Sequence, residues 1–210
     1  QATGEIIVIS DAGCELEKRW VEEIVRPFEI TVDVVAGYYQ VSKESSVFQR
    51  CVACYALVMP DKVNPENFLP SARSMAIRKS VWEKFGGFPE DFSDNEDYVF
   101  ANRLKNGGAK IVFTKEAIVY WQPVSNLKDF FTMIFRFARG DKKAELRKGK
   151  VATVFGRYCL FALLPFCFVP YLGWAVFKNY KYVKDPLAIL YLPGLQITAD
   201  LGVMLGTIYG

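Results

Sequence analysis

The spacing of apolar residues changes several times along the chain, and each change marks an element. Residues 4–10, Gly-Glu-Ile-Ile-Val-Ile-Ser, form a short β-branched run of the kind that makes a buried strand. Asp11-Ala12-Gly13 follows as a turn. Across 14–26, Leu16, Trp20 and Ile24 recur at every fourth position, which predicts an amphipathic helix stopped by Pro27. Residues 31–39 read as a second strand closing near Gly37, and 45–59 as an apolar helix. The prolines at 60, 65 and 70, interleaved with Asp and Asn, make 60–70 a loop. A strand over 72–78 and a helix over 80–85 come next, the helix ended by Gly86-Gly87. Residues 94–105 read as a helix with Ser93 as its cap and Glu96 completing a capping box. Two short strands follow, at 110–113 and 117–121. Strands alternating with helices predict an α/β sheet domain.

Beyond residue 124 the pattern is different. Phe130, Phe131, Ile134, Phe135 and Phe137 crowd a helix over 125–139 that carries Arg136 and Arg139. An aromatic and basic helix suits the membrane interface, and a core helix of the sheet domain suits the same pattern. Residues 158–177 carry no charge, and 186–210 carry only Asp200. About 20 apolar residues cross a bilayer's hydrocarbon core, and Pro165 and Pro170 are tolerated there. The expectation is a transmembrane helical hairpin over 158–210. A basic juxtamembrane segment at 141–157 precedes it.

Charge orients that hairpin. The 210-residue chain has a net charge of +3, but between Arg136 and Arg157 eight basic residues face two acidic ones. The loop between the two apolar stretches carries fewer positive charges. Positive-inside bias then places the sheet domain in the cytosol and the loop outside. A basic block beside an apolar run points to membrane lipids, with no nucleic acid as partner.

Composition removes whole classes of chemistry. There is no histidine, so Ser-His-Asp and Cys-His hydrolysis and His-containing zinc sites are excluded. Five cysteines without a regular framework do not make a disulfide-stapled domain. Cys51-Val52-Ala53-Cys54 has the spacing of a redox or metal pair, but it has no second pair and lies in apolar sequence, so it reads as core.

Two acidic positions remain as candidates. Asp11 ends a buried strand, where open α/β sheets bind ligands, although Asp also simply starts turns. Asp94-Asn95-Glu96-Asp97 opens a helix. The helix dipole and a capping box account for Asp94 and Glu96, but less well for Asp97, which is placed to accept a proton from a hydroxyl. Trp121 stands at a strand end, where it either rims a pocket or simply closes the strand.

Taken in order, these segments resemble a known family. They are Asp11-Ala12-Gly13-Cys14, Val35-Ala36-Gly37, Ser71-Ala72-Arg73-Ser74-Met75-Ala76-Ile77-Arg78, Gly86-Gly87-Phe88-Pro89-Glu90, Asn95-Glu96-Asp97 and Phe135-Arg136-Phe137-Ala138-Arg139-Gly140. The sequence resembles the C-terminal half of a membrane-anchored glycosyltransferase family 2 protein of the GT-A fold, over residues 1–140. The resemblance implies a partial GT-A (nucleotide-diphospho-sugar transferase-like) sheet, lacking its opening nucleotide-binding strands, before the membrane hairpin. The strand at Glu5–Ser10 is then expected to have an unpaired edge, or a face that its missing neighbours would cover.

The resemblance also implies roles. Asp11 matches the first aspartate of the family's Asp-X-Asp motif, which meets the sugar nucleotide and a divalent metal (Mg or Mn). The motif's last position is Gly13 here, and Glu15 replaces that carboxylate only if the turn aims it inward. Asp97 matches the general base. Arg136 falls at the arginine of a Gln-X-X-Arg-Trp motif in which Met133 and Phe137 replace the end residues. Arg136, Glu96 and Trp121 are expected to contact the diphosphate or the acceptor. The implied reaction is inverting transfer from a nucleotide-sugar donor to a glycan or lipid-linked acceptor at the cytosolic membrane face, in polysaccharide or cell-envelope assembly. Two rivals stand beside it. One is a non-catalytic membrane-anchored scaffold with a degenerate transferase domain. The other is a nucleotidyltransferase, which needs a basic phosphate loop near the start of the chain.

Overall fold

The computed structural model describes residues 2–28 and 31–210. The chain divides into two compact units: residues 1–43 with 58–122, and residues 44–57 with 123–210.

The first unit is a mixed five-stranded sheet with helices. Its strands are β1 (Ile6–Ile9), β2 (Cys14–Leu16), β3 (Val34–Val41), β4 (Met75–Arg78) and β5 (Ile111–Trp121), in the spatial order β1-β4-β3-β5-β2. Only β3 and β5 run parallel. β1 stands at one edge, paired with β4 alone among the described strands. The expected helix over 14–26 is instead β2 followed by a short helix, α1 (Trp20–Val25). The fourfold spacing held only from Trp20 onward; Leu16 is exposed on the edge strand, where Cys14 pairs with Trp121.

The two short strands expected at 110–121 are one strand. Its pairing with β3 slips between Gly37 and Tyr38, leaving Lys115, Glu116 and Ala117 out of register. Gly37 is required there, because a Cβ would overlap the Ser74 hydroxyl. That buried hydroxyl accepts from Trp20 Nε1 at 2.8 Å and donates to the Ala117 carbonyl at 3.2 Å. One side of the sheet buries Val34, Met75 and Ile77 against Phe100 and Leu104 of α4 (Glu96–Asn106). Trp82 of α3 (Lys79–Phe85) packs on the same cluster, and Gly86 ends α3 in the left-handed conformation.

The second unit is helical. α2 (Val47–Ala56) has a capping box between Ser46 and Gln49. Cys51 lies in its core with Val52, Phe130, Leu192 and Leu195, and burial pushes the Cys51 thiol up to about 11. α5 (Leu127–Lys143) starts at an Asn126 cap. It belongs to this unit, which takes in residues 123–210. Phe130 is fully buried, and Ile134 meets Gly202 of α8 (Ala188–Ile208). A Cβ at Gly206 would overlap the Phe135 carbonyl, so small residues set how closely α5 and α8 approach.

Residues 158–177 do not form one helix. α6 (Lys148–Leu163) stops at Leu164, a 3₁₀ turn covers Pro165–Cys167, and α7 (Phe168–Val183) follows. The residue before a proline is driven out of the α region, and Leu164 takes φ −131° and ψ 75°. Among the described residues one helix, Ala188–Ile208, is long and apolar enough to cross a membrane, rather than the two helices of the expected hairpin. Its Asp200 is buried and accepts from Tyr171, Gln196 and Arg157.

Candidate active site

The site is assembled by a turn of four residues. Ser71 to Ser74 closes with a Ser74 N–H to Ser71 carbonyl bond of 3.0 Å, just before β4. The Asp97 carboxylate reaches this turn from the first turn of α4. Its Oδ2 accepts from the Ser71 hydroxyl at 2.8 Å and from the Ala72 amide at 3.0 Å, while Oδ1 accepts from the Tyr98 amide at 2.7 Å. From the other side, Ser10 Oγ donates to the Arg73 carbonyl at 3.0 Å, which ties the end of β1 to the same turn.

Asp11 follows Ser10, so the turn gathers both candidate carboxylates. The Asp11 side chain stays solvent-accessible, yet surrounding protein strips enough hydration to push its carboxyl above the ordinary value. The Arg73 cation opposes that shift and the Asp97 charge adds to it. Burial, with the Asp11 charge, likewise raises the nearby Cys14 thiol. Gly13 completes the turn after Asp11 at φ 86°, a conformation that an aspartate would hold only under strain.

The other expected residues are placed as follows. Glu96 is the first residue of α4 and half-buried. The expected capping box is absent. The helix is entered through Asn95 at φ 62°, with no side-chain cap bond, and Ser93 Oγ donates to Asp94 instead. Trp121 ends β5 with its ring 5.0 Å from the Arg73 guanidinium. Arg136 is exposed on α5 of the helical unit. Glu15 is exposed on β2.

No group of three or more His, Cys, Asp or Glu side chains among the described residues is arranged to hold a metal ion. With Asp97 Oδ2 occupied by two donors, Asp11 is the carboxylate left for a metal at this turn. That donor set does not fit a metal held by the protein alone. It fits one that arrives with phosphate oxygens, as Mg²⁺ commonly does.

Sequence reasoning assigned no task to Arg73, Tyr39 or Ser71. The Arg73 guanidinium lies 5.0 Å from the Trp121 ring and 5.6 Å from the Tyr39 ring. The available signal was a cation and a hydroxyl in a tight turn directly before an apolar strand.

A model described as Glycosyl transferase family 21 matches residues 1–184. The chain belongs to this glycosyltransferase family; the motif resemblance had named family 2. No curated relative matches the chain. Among solved structures, it is similar to the mannosyltransferase PcManGT from Pyrobaculum calidifontis in complex with GDP-Man and Mn2+. The TM-score is 0.56 at 17% identity, covering 97% of this chain and 63% of that one. At that identity the likeness is one of fold, and the chain spans under two thirds of the neighbour's length.

Proposed function

We propose that this chain carries the catalytic turn of an inverting glycosyltransferase. It moves a sugar from a nucleotide-sugar donor to a glycan or lipid-linked acceptor at the cytosolic membrane face. The observation that carries this reading is the Asp97 carboxylate, fixed by Ser71 and Ala72 on the turn that also receives Asp11. With no histidine in the chain, acid–base work falls to Asp, Glu, Lys, Tyr or Cys, and Asp97 is the one held on this turn.

The acceptor hydroxyl loses its proton to Asp97 as its oxygen bonds to the anomeric carbon. The bond from that carbon to the diphosphate oxygen breaks on the opposite face, and the nucleoside diphosphate leaves with the electron pair. Asp97 sits in the first turn of α4, where the Ser71 hydroxyl and the Ala72 and Tyr98 amides fix both of its oxygens. Asp11 faces the donor and would hold a divalent metal together with the donor's phosphates. Such a metal stabilises charge on the leaving group.

Membrane association is supported by the helical unit. Leu163, Phe166 and Val169 around the Pro165 break are 78%, 70% and 73% exposed, and α6 opens at its other end with Lys148 and Lys150. Exposed apolar side chains at one end of α6 and basic residues at the other both suit contact with an anionic lipid surface.

The reading is tested with the full-length protein and GDP-mannose as first donor, because the structural neighbour was solved with GDP-Man. Asp97→Asn should stop transfer while leaving donor binding nearly intact. Turnover at the unmodified rate by that variant contradicts the assignment.

A further inference from the structure

Arg73 is held in an unusual state. Two aromatic rings, Trp121 at the end of β5 and Tyr39 on β3, pack against its guanidinium at 5.0 and 5.6 Å. Its Nε is buried and has no hydrogen-bond partner among the described residues. No salt bridge joins it to Asp11, although the two charges are close enough to interact. Its backbone is pinned at both ends, the carbonyl by Ser10 Oγ at 3.0 Å and the amide by Ser71 Oγ at 3.4 Å.

These facts have a common physical reading. A buried donor left unmade is costly, so a guanidinium would normally rotate to a carboxylate or to solvent. Here two rings lie within cation–π distance of the guanidinium, and its Nε donor is unspent. A guanidinium already fixed in this way loses little further freedom when it takes a ligand. Its edge matches the paired oxygens of a phosphate.

The surrounding charge points the same way. Asp11 and Asp97 make the turn acidic, and a phosphate-bearing substrate entering it needs a cation at the turn itself. We propose that Arg73 is a substrate-binding residue of this site that takes a phosphate group through its N–H edge, with Tyr39 and Trp121 as its positioning residues. The inference rests on the transferase reading and deepens it. The phosphate belongs either to the donor's diphosphate or to a phosphate on a lipid-linked acceptor.

Calorimetric titration of the full-length protein in detergent with three probes tests this. GDP and inorganic pyrophosphate stand for the donor's diphosphate, and dodecyl phosphate for a lipid phosphate. Arg73→Gln should weaken at least one probe on the order of 10–100-fold. Loss of GDP and pyrophosphate together assigns Arg73 to the donor; loss of dodecyl phosphate alone assigns it to the acceptor. Arg73→Lys keeps the charge without the fork and should fall between Gln and the natural residue. It also supplies the measurement if the Gln variant fails to fold. Trp121→Leu should weaken the same probe by a smaller factor. Failure of the unmodified protein to bind any probe overturns the proposal, as does binding by Arg73→Gln or folded Arg73→Lys within twofold of it.

Turnover of Asp97→Asn with a nucleotide-sugar donor, measured alongside the titration, separates this inference from the reading beneath it. If that variant still turns over while Arg73→Gln loses its probe, the transferase reading fails and the phosphate site stands. If Asp97→Asn stops turnover while Arg73→Gln binds normally, the reverse holds.

Discussion

The Ser71 hydroxyl donates to Asp97 Oδ2 at 2.8 Å, and this bond joins the turn before β4 to the first turn of α4. A base must be held still to be effective, and Ser71 is buried while Asp97 is half-buried. Ser71→Ala should therefore slow transfer while leaving the Ala72 amide as the remaining anchor. A hydrogen bond to a charged group contributes about 1.5–3 kcal/mol, so a rate loss on the order of tenfold or more is expected. Steady-state turnover of the full-length protein checks it, and an unchanged rate would show that the hydroxyl does not position the base.

Asp11 gives a prediction about stability with a definite sign. Its carboxyl is raised above the ordinary value by lost hydration, against Arg73 and with Asp97. A carboxyl raised in the folded state favours folding when protonated, and that contribution disappears as pH rises through the folded-state pKa. At neutral pH the charge therefore costs stability, and Asp11→Asn should raise the melting temperature slightly. The gain should vanish below about pH 4, near the ordinary carboxylate pKa. Activity should fall in the same variant. A melting temperature lowered at neutral pH would contradict this account of the charge.

Asn95 controls how α4 begins, and so where Asp97 sits. Its φ of 62° suits Asn and Gly but not a β-branched residue. Asn95→Val should destabilise the fold by about 1–2 kcal/mol, and Asn95→Gly by less. Ser93→Ala should stay within about 0.5 kcal/mol, as a surface position away from special features does, since its hydroxyl bonds Asp94 and does not cap the helix. Chemical denaturation of the three variants checks the order. A Ser93→Ala loss as large as that of Asn95→Val would restore the capping box.

The helical unit supplies a test of membrane association. Leu163 and Phe166 are exposed and make little contribution to the fold. Replacing both with Ser should leave melting nearly unchanged. It should weaken flotation with anionic vesicles on the order of 10²-fold or more, given about 1.5–3 kcal/mol per buried apolar side chain. Flotation equal to that of the unmodified protein would remove this surface from lipid contact.

Parts of this arrangement were legible in the sequence for local reasons. Gly86 was expected to stop α3 and does so through its left-handed backbone. The runs that became β1 and β3 were visible because they are apolar and rich in β-branched residues, β4 as a short apolar run after the proline-rich loop, and Asp11 and Asp97 stood out as carboxylates at element ends. The misses are tertiary. Leu16 continued the Trp20–Ile24 spacing, yet pairing with β5 drew residues 14–16 into a strand. The slip at Gly37 joined two apparent strands into β5, which is a property of the partner strand and not of 111–121 alone. Leu164 broke an uncharged run through a local proline effect that composition does not weigh. Arg73 lay within a quoted motif, but its two rings come from Tyr39 and Trp121, far apart in sequence.

The most direct measurement is release of nucleoside diphosphate by the full-length protein, compared between the natural residue and Asp97→Asn under saturating donor. Loss of a positioned base predicts a fall on the order of 10²–10⁴-fold, with donor affinity unchanged within a few-fold. Equal release by the two proteins would contradict the assignment of Asp97 as the base, and with it the catalytic role of the turn at Ser71–Ser74.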